Sequence, residues 1–264
     1  MLVKRGIILK SAREIELMRE AGRVVRRVLS RCEEMASPGV SSAELNAEAE
    51  RIIAEAGGEA LFKGVRAPKA RFPFPAALCT STNEEVVHGI PNGRPLQAGD
   101  IISVDCGVRL KGYCGDAAVT IAIGEVSPEV QKLLDVTRSM LEIAVTQMKP
   151  GRRWSEVAKR MQKRAEENGF SVVREFVGHG IGQQMHEDPK VPNYYDRQQA
   201  RQDFELRSGM LLAVEPMVNI GTADVEYKDD DLWTVATRDG RWAAHFEHTI
   251  AVTDNGSDVL TDGR

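Results

Sequence analysis

Two aspartates stand inside apolar, strand-like stretches of this sequence, eleven residues apart. Asp105 lies in IISVDCGV and Asp116 lies in GYCGDAAVT. A carboxylate inside a buried strand is unfavourable unless a hydrogen-bond donor or a cation offsets its charge. The chain is therefore limited to folds that supply a partner for both acids.

The segment VRLKGY between the two stretches predicts a tight turn at Leu110–Lys111, and hence a β-hairpin. With that turn, Asp105 lies directly opposite Asp116, and their Cβ atoms are about 4.5–5.5 Å apart on one face. Two carboxylates this close either share a proton or flank a cation. A different register, with one acid exposed, is the alternative at this point.

Three further polar residues stand in or beside apolar, strand-like runs. Glu215 lies in MLLAVEPMV, Glu247 in HFEHTIAVT, and His179 between glycines in FVGHGIG. Each alone is compatible with an ordinary structural role, such as a buried Glu paired with an Arg. Together the four carboxylates carry the charge that two divalent cations would balance. Oxygen-rich ligation with one imidazole suits Mn²⁺, Fe²⁺ or Co²⁺, and Zn²⁺ is compatible with it.

Composition and charge agree with an ordinary globular protein rather than a nucleic-acid-binding one. The 264 residues are 42% hydrophobic and have a net charge of −4. The first 31 residues contain nine basic and three acidic side chains, which predicts either a solvated helix face or contact with an anionic surface. Four cysteines without a CxxC motif indicate a reducing compartment. With no signal peptide or membrane span predicted, we expect a cytoplasmic protein.

The coarse secondary structure is helix, helix, strands, helix, helix, strands. Ser11 with Glu14 and Ser41 with Glu44 form capping boxes that begin the first two helices, and Ser127 precedes the third. A fourth helix is predicted over 155–168, and strands near 101–108, 113–123, 172–177, 211–218, 232–237 and 245–252. These elements predict one α/β domain, residues 1–264, with a mixed or antiparallel sheet.

The ordered set of two aspartates, one histidine and two glutamates resembles the metal ligands of type I methionine aminopeptidases. The segments VHGIPN, GHGIGQQMHEDP, VEPMVN, FEHTIAVTDNG and REIELMREAGRVV are similar to that family as well. The resemblance covers nearly the whole chain. It implies the pita-bread fold, a pseudo-twofold α/β arrangement with two divalent metal cations (Co, Mn, Fe or Zn) at its centre. It also implies removal of the N-terminal methionine from nascent proteins and peptides with a small second residue.

The resemblance assigns roles to particular residues. His88 and His186 are implied to contact the scissile bond, and Glu215 both to bind metal and to move a proton. A methionine side-chain pocket is implied for Cys79, Phe74, Met185 and Trp233, although Phe74 and Trp233 also suit a plain core role. The implied metal ligands are Asp105, Asp116, His179, Glu215 and Glu247.

Two departures from the family pattern affect the pocket. The basic, proline-rich loop at residues 63–76 replaces a Gly/Tyr-rich stretch, and Met185 stands where Phe is common. We expect the short bacterial-type form, a monomer that binds an N-terminal peptide, with the ribosome as a candidate partner of the basic first helix. The alternatives are a relative of proline dipeptidases or aminopeptidase P, which usually carry a large extra N-terminal domain, and a binding module without activity.

Overall fold

The computed structural model describes residues 6–68, 70–228 and 231–264, and only the backbone of residues 199 and 200. Lys4 and Arg5 of the basic N-terminal segment, and Lys69 of the 63–76 loop, lie outside the described residues. The helices are α1 (Ala12–Met35), α2 (Ser42–Glu55), α3 (Pro128–Gln147) and α4 (Trp154–Glu166). A 3₁₀ helix covers Gln199–Gln202.

Fifteen short strands alternate with these helices in the described part of the chain. The first eight are β1 (Glu59–Ala60), β2 (Leu78–Thr82), β3 (Glu85–Val87), β4 (Ile101–Leu110), β5 (Tyr113–Ala122), β6 (Ser171–Val172), β7 (Gly178–Gly180) and β8 (Glu187–Val191). The others are β9 (Leu211–Val214), β10 (Met217–Asn219), β11 (Val225–Tyr227), β12 (Val235–Thr237), β13 (Ala243–His245), β14 (Glu247–Thr253) and β15 (Gly256–Val259).

All strand pairings within the described ranges are antiparallel. A nine-stranded sheet has the order β1-β4-β5-β14-β9-β7-β8, with β2 joined to β4 and β15 joined to β14. Two three-stranded sheets, β13-β10-β6 and β11-β12-β3, complete the architecture. This curled antiparallel sheet with flanking helices confirms the expected α/β pita-bread fold class.

The helix starts follow local sequence signals. Both predicted capping boxes form, with Ser11 bound to Glu14 and Ser41 bound to Glu44, and Ser127 caps α3. Helix α4 is different, because no side chain of its own N-terminal segment caps it.

Helix α1 lies against β4 and β5, and two glycines permit its close approach to β5 and to the segment that follows β15. A Cβ on Gly115 would come within 2.8 Å of the backbone nitrogen of Gly22, and a Cβ on Gly22 within 2.1 Å of the Leu260 carbonyl oxygen. Alternate residues of β4, such as Val104 and Cys106, join the main hydrophobic core together with side chains of the four helices. Asp105 lies between them in sequence and therefore points to the opposite face of the sheet.

The β4–β5 hairpin corrects the predicted register. Leu110 pairs with Tyr113, and the two turn residues Lys111 and Gly112 have φ of 51° and 84°. A two-residue turn of this kind needs positive φ at both central positions, and glycine supplies it without strain at the second. The predicted turn at Leu110–Lys111 is therefore wrong by one residue.

Asp105 consequently pairs with Ala118, and Asp116 pairs with Gly107, so the acids are not directly opposite each other. They still share one face, because the register shift moves the pairing by two positions. The alternative of an exposed acid is excluded, since Asp116 is 2% exposed and Oδ1 of Asp105 is fully buried.

Several predicted strands are shorter than expected or interrupted. The predicted run 211–218 is split at Glu215–Pro216, because proline has no N–H to donate to a sheet, and the chain passes there from the large sheet into the second sheet. The predicted strand 172–177 is formed only at Val172, and 232–237 only at Val235–Thr237. No helix within the described residues is long and apolar enough to cross a membrane.

Candidate metal centre

One cavity of about 250 Å³ collects every residue that the sequence analysis selected for the site. Its lining also contains Phe62 and Val65, which were not predicted. The predicted residues in its wall are Phe74, Cys79, His88, Asp105, Asp116, His179, Met185, His186, Glu215, Trp233 and Glu247.

Five consecutive strands of the large sheet, in the order β4-β5-β14-β9-β7, supply the implied metal ligands. Each strand contributes one residue: Asp105 from β4, Asp116 from β5, Glu247 at the start of β14, Glu215 directly after β9, and His179 from β7. We call the four acids the carboxylate cluster. Side chains far apart in sequence are thus brought together because their strands are neighbours.

The polar atoms lie close enough to share an ion. One ligand atom each from Asp116, His179 and Glu247 falls within 4.8 Å of the others. His179 Nε2 is 3.8 Å from Asp116 Oδ2 and 3.6 Å from Glu215 Oε1. These separations are too long for direct hydrogen bonds and suit oxygen and nitrogen atoms that surround a common centre.

His179 is fixed in position by the glycines on either side. A Cβ on Gly178 would be 2.3 Å from the Ala213 carbonyl oxygen, and a Cβ on Gly180 would be 2.2 Å from the Asp188 carbonyl oxygen. The Nδ1–H of His179 donates to the Gly180 carbonyl at 3.0 Å. Nε2 therefore carries the lone pair and faces the carboxylate cluster, which is the usual arrangement of a metal-binding imidazole.

The backbone of Asp116 is held by Thr249, which is fully buried on β14. The Asp116 N–H donates to Thr249 Oγ1 at 3.0 Å, and Thr249 Oγ1 donates to the Asp116 carbonyl at 2.8 Å. The threonine thus satisfies both backbone groups of Asp116 where β5 and β14 separate. The carboxylate remains free to point into the cavity.

Burial and mutual repulsion make this a site where negative charge is unfavourable without a cation. Burial raises the pKa of Asp105 to about 7 and, with the nearby Asp105 charge, that of Glu215 to about 8. The pKa values of Asp116 and Glu247 are raised by burial first and by the neighbouring acids second. Burial also lowers the pKa of His179 to about 4, so its imidazole is neutral at pH 7.

The unpaired atoms of the cluster fit divalent cations. One oxygen each of Asp105, Asp116 and Glu247 is buried without a hydrogen-bond partner among the described residues. Buried polar atoms are almost always paired in proteins, so three such oxygens in one cavity indicate a partner that is not part of the chain. A set of carboxylates with one imidazole is the donor chemistry of Mn²⁺, Fe²⁺, Co²⁺ or Zn²⁺.

Two further histidines border the cluster. The ring of His186 lies 4.3 Å from the ring of His179, centroid to centroid, and the ring of His88 meets Phe176 edge to face at 5.4 Å. His88 has a φ of 60°, an unusual value for a residue other than glycine. Burial lowers the pKa of His88 to about 4 and lowers that of His186, so both rings are neutral at pH 7.

The opposite wall of the cavity is apolar. Phe74 and Trp233 pack edge to face with ring centroids 5.3 Å apart, and Trp233 Nε1 donates to the Phe72 carbonyl at 2.8 Å. A Cβ on Gly107 would lie 3.0 Å from the ring of Phe62. Phe62 lies just before the 63–76 loop, in a segment with neither helical nor strand periodicity. Its apolar side chain next to Lys63 and Gly64 is the only feature of the sequence that could have marked it as a cavity residue.

The histidines on either side of Glu247 do not line the cavity. His248 Nδ1 lies 2.9 Å from Thr261 Oγ1, and the backbone N–H of His245 donates to Thr120 Oγ1 at 2.9 Å. Neither histidine therefore belongs to the residues that line the cavity.

Comparison with known proteins gives matches over nearly the whole chain. The profile of metallopeptidase family M24 matches residues 16–254. Methionine aminopeptidase of Clostridium acetobutylicum is 48% identical over 97% of this chain and 98% of that protein. Methionine aminopeptidase 1 of Bacillus subtilis is 46% identical over 97% and 99%, respectively.

The solved structures agree. Methionine aminopeptidase of Thermotoga maritima superposes with a TM-score of 0.90 at 40% identity, covering 97% of this chain and 99% of that one. Prolidase of Pyrococcus furiosus superposes with a TM-score of 0.74 at 20% identity, which shows a shared fold alone. The chain therefore belongs to metallopeptidase family M24 and, within it, to the methionine aminopeptidases.

Proposed function

We propose that this chain hydrolyses the first peptide bond of nascent proteins and peptides that begin with methionine and have a small second residue. The observation that carries the proposal is the cavity with two unlike walls: five neighbouring strands present ligand residues on one side, and apolar side chains form the other. A polar centre beside an apolar pocket suits a substrate whose reacting bond adjoins an apolar side chain.

Two divalent cations, Co, Mn, Fe or Zn, are the proposed cofactors. When bound, such a pair lowers the pKa of a shared water and polarises the scissile carbonyl. The residues that would hold them are Asp105, Asp116, Glu247 and His179, the last through Nε2. Glu215 would also bind metal and, once ionised, would lie close enough to the scissile bond to accept a proton from the attacking water.

The two neutral histidines act on the substrate. We assign His186 to hydrogen bonding with the scissile carbonyl oxygen as it gains negative charge, and His88 to the nitrogen of the leaving amine. Their position on the rim of the same cavity supports both roles. A neutral imidazole that donates a hydrogen bond to a developing oxyanion favours the transition state over the ground state.

The methionine side chain is proposed to bind against Phe74, Trp233, Cys79 and Met185. Burial raises the pKa of the Cys79 thiol well above its usual value, which keeps it neutral and apolar in character. The adjoining cleft of about 720 Å³ borders His179 and His186 and provides room for residues beyond the scissile bond. An unpaired charge in the first side chain would be poorly accepted because its burial is costly.

We further propose that residues 1–264 act as one catalytic domain, as a monomer, in the cytoplasm. The proposed partner of α1 is the ribosome, which would have to compete with acids of this chain, because five arginines of α1 form ion pairs with them. Those arginines are Arg19, Arg23, Arg26, Arg27 and Arg31. Co-sedimentation with ribosomes at low and high salt tests this contact, and binding that persists in an Arg27→Glu/Arg31→Glu variant would contradict it.

Peptide cleavage by the metal-loaded protein tests the activity. Met-Ala-Ser should lose its first residue, whereas Glu-Ala-Ser, Lys-Ala-Ser and Met-Leu-Ser should be poor substrates. N-acetyl-Met-Ala-Ser should resist, since acylation removes the basic lone pair of the amine. Mass spectrometry reads all five reactions.

Other outcomes would favour the alternatives. Cleavage that depends on proline next to the scissile bond, with little preference for methionine, would indicate a prolidase-like enzyme. No cleavage at any metal concentration would indicate a binding module. Equal cleavage of the free and acetylated peptides would contradict the proposed binding of the chain end.

A further inference from the structure

A buried ion pair stands directly beside His186. Lys10 Nζ lies 2.5 Å from Glu187 Oε2 and donates a second hydrogen bond to the Ile8 carbonyl at 3.1 Å. The two side chains are only 4% and 10% exposed. A buried pair of charges adds little net stability compared with apolar residues of the same size, so stability is a weak explanation for this one.

The pair is connected to the loop that carries Met185 and His186, which we call the histidine loop (residues 182–186). The second oxygen of Glu187 accepts the backbone N–H of Gln184 at 3.2 Å. A Cβ on Gly182 would lie 2.5 Å from Glu187 Oε1 and 2.6 Å from Lys10 Cε. The histidine loop therefore packs against the pair with no space for a side chain between them.

Other contacts hold the beginning of the histidine loop. The backbone N–H of Cys114 donates to the Gly182 carbonyl at 2.8 Å, and Gln183 Nε2 donates to Tyr113 Oη at 3.2 Å. The Lys10–Glu187 pair adds a contact in the middle of the loop, at Gln184, and Glu187 itself directly follows His186 in the chain. Lys10 is itself anchored, since its backbone N–H donates to the Gly209 carbonyl at 2.7 Å.

We propose that Lys10 and Glu187 are positioning residues for His186. The buried pair keeps the histidine loop closed around Gln184 and thereby holds the imidazole at its place beside His179. The inference rests on the proposed role of His186 in hydrolysis. Loss of the lysine charge should free the Glu187 carboxylate to turn towards water and release the loop.

Lys10→Met, which keeps the length of the side chain, tests this directly. With Met-Ala-Ser as substrate, kcat should fall about 10- to 100-fold, the usual effect of misplacing a catalytic group by about 1 Å. KM should change by less than about threefold, because the contact of His186 strengthens in the transition state. Hydrogen exchange, followed by mass spectrometry, should become at least about fivefold faster in the histidine loop. Lys10→Arg, which keeps the charge, should restore most of kcat.

Arg19→Met is the matched control. Arg19 also lies on the N-terminal part of the chain and pairs with Asp258, but neither residue lines the cavity. This variant should leave kcat and the exchange of the histidine loop unchanged. If Lys10→Met does not fold, the double variant Lys10→Met/Glu187→Met removes the unpaired buried carboxylate, and the same changes in kcat and exchange are expected of it.

The proposal is overturned if the variants without the pair keep wild-type kcat, or if kcat falls while the exchange of the histidine loop stays the same. An equal loss of kcat in Arg19→Met would also overturn it. Failure of the wild-type protein to cleave methionyl peptides would instead contradict the proposed function. The exchange measurement would then still decide whether the pair holds the loop.

Discussion

Acidic residues have opposite surroundings in two parts of this molecule. On the surface of α1 and α2, Glu48 accepts hydrogen bonds from Arg51 and Arg31, which lower its pKa to about 2. In the carboxylate cluster, burial and like charges raise the pKa of all four acids. No arginine or lysine forms an ion pair with them within the described parts of the chain.

The difference separates acids whose charge is paired within the chain from acids whose charge has no partner in the described residues. The surface acids are paired within the chain, and their ionised form is stable without any ligand. The cluster acids instead lie around a space, with three oxygens unpaired. A buried group of acids with raised pKa values and unpaired oxygens becomes fully ionised only where a cation offsets the charges, so the cluster is interpreted as a binding site rather than a structural network.

The largest expected effect comes from removing one cluster charge. Asp116→Asn keeps the size of the side chain but removes its charge. Methionyl peptidase activity should fall by more than roughly 10⁴-fold, which is the upper end of the loss caused by removing a proton-transfer group. The metal-free variant should melt at a higher temperature than the metal-free wild type, because one of four repelling buried acids is gone. Peptide assays and calorimetry in the presence of a chelator measure the two effects.

Glu48→Gln is the surface control for this variant. It should keep full activity and show no stabilisation of the metal-free protein, since its acid is already paired with arginines. Near-normal activity of Asp116→Asn would contradict the claim that the cluster acids, unlike the surface acids, are needed for activity.

His186→Ala should have the second largest effect. The side chain borders the cavity but is not an assigned ligand, so metal content should be retained while kcat falls about 10²–10⁴-fold. KM should change much less, because the proposed contact is made chiefly in the transition state. Steady-state kinetics with metal analysis of the same sample separate the two roles, and loss of bound metal would make His186 a ligand instead.

The change of stability with pH should have opposite signs in the two regions, because the pKa values of the cluster acids are raised and that of Glu48 on the surface is lowered. In the metal-free protein, Asp105 and Glu215 have folded-state pKa values of about 7 and about 8, above the unfolded value near 4. The folded chain therefore holds protons that the unfolded chain has lost, and its stability falls as the pH rises from about 7.5 to 8.5. The buried histidines have lowered pKa values, and over this range they are neutral in the folded state and almost entirely neutral in the unfolded state.

Calorimetry should therefore find a melting temperature that is lower at pH 8.5 than at pH 7.5, by on the order of 5 °C, when a chelator is present. Saturating divalent cation should cancel or reverse the change, because metal binds the deprotonated ligands. A metal-free melting temperature that rises over this interval would show that the cluster acids are already ionised without metal.

The smallest effect is expected on the helix surface. Arg51→Ala removes ion pairs of Arg51 with Glu48 and Glu55 that are largely exposed to solvent. The melting temperature should change by no more than about 1 °C, because exposed pairs contribute little and salt screens them. A change as large as that of the cluster variants would contradict the contrast between the regions.

Features controlled by neighbours in sequence were predictable. The capping boxes of Ser11 and Ser41 are complete within four residues, and both helices begin where expected. An acid inside an apolar strand is equally visible, because the cost of burying its charge does not depend on which strand lies next to it. The carboxylate cluster was therefore recognisable before the order of the strands was known.

Features that depend on distant partners were not predictable. Helix α4 begins one residue earlier than predicted, and Asp203, far along the chain, binds the backbone N–H and the hydroxyl of Ser155. The hairpin register depended on whether Lys111 could adopt positive φ, which its residue type does not indicate. Lys10 and Glu187 are 177 positions apart, and nothing local marks either as half of a buried pair.

Titration of the metal-free protein with Mn²⁺ under anaerobic conditions, followed by calorimetry at pH 7 in two buffers of different ionisation enthalpy, tests the central claim most directly. We predict two cations bound per chain and a release of protons, because the cluster holds protons that metal must displace. Glu48→Gln should bind identically, and Asp116→Asn should lose at least one cation. The absence of binding by the wild type, or unchanged binding by Asp116→Asn, would contradict the account.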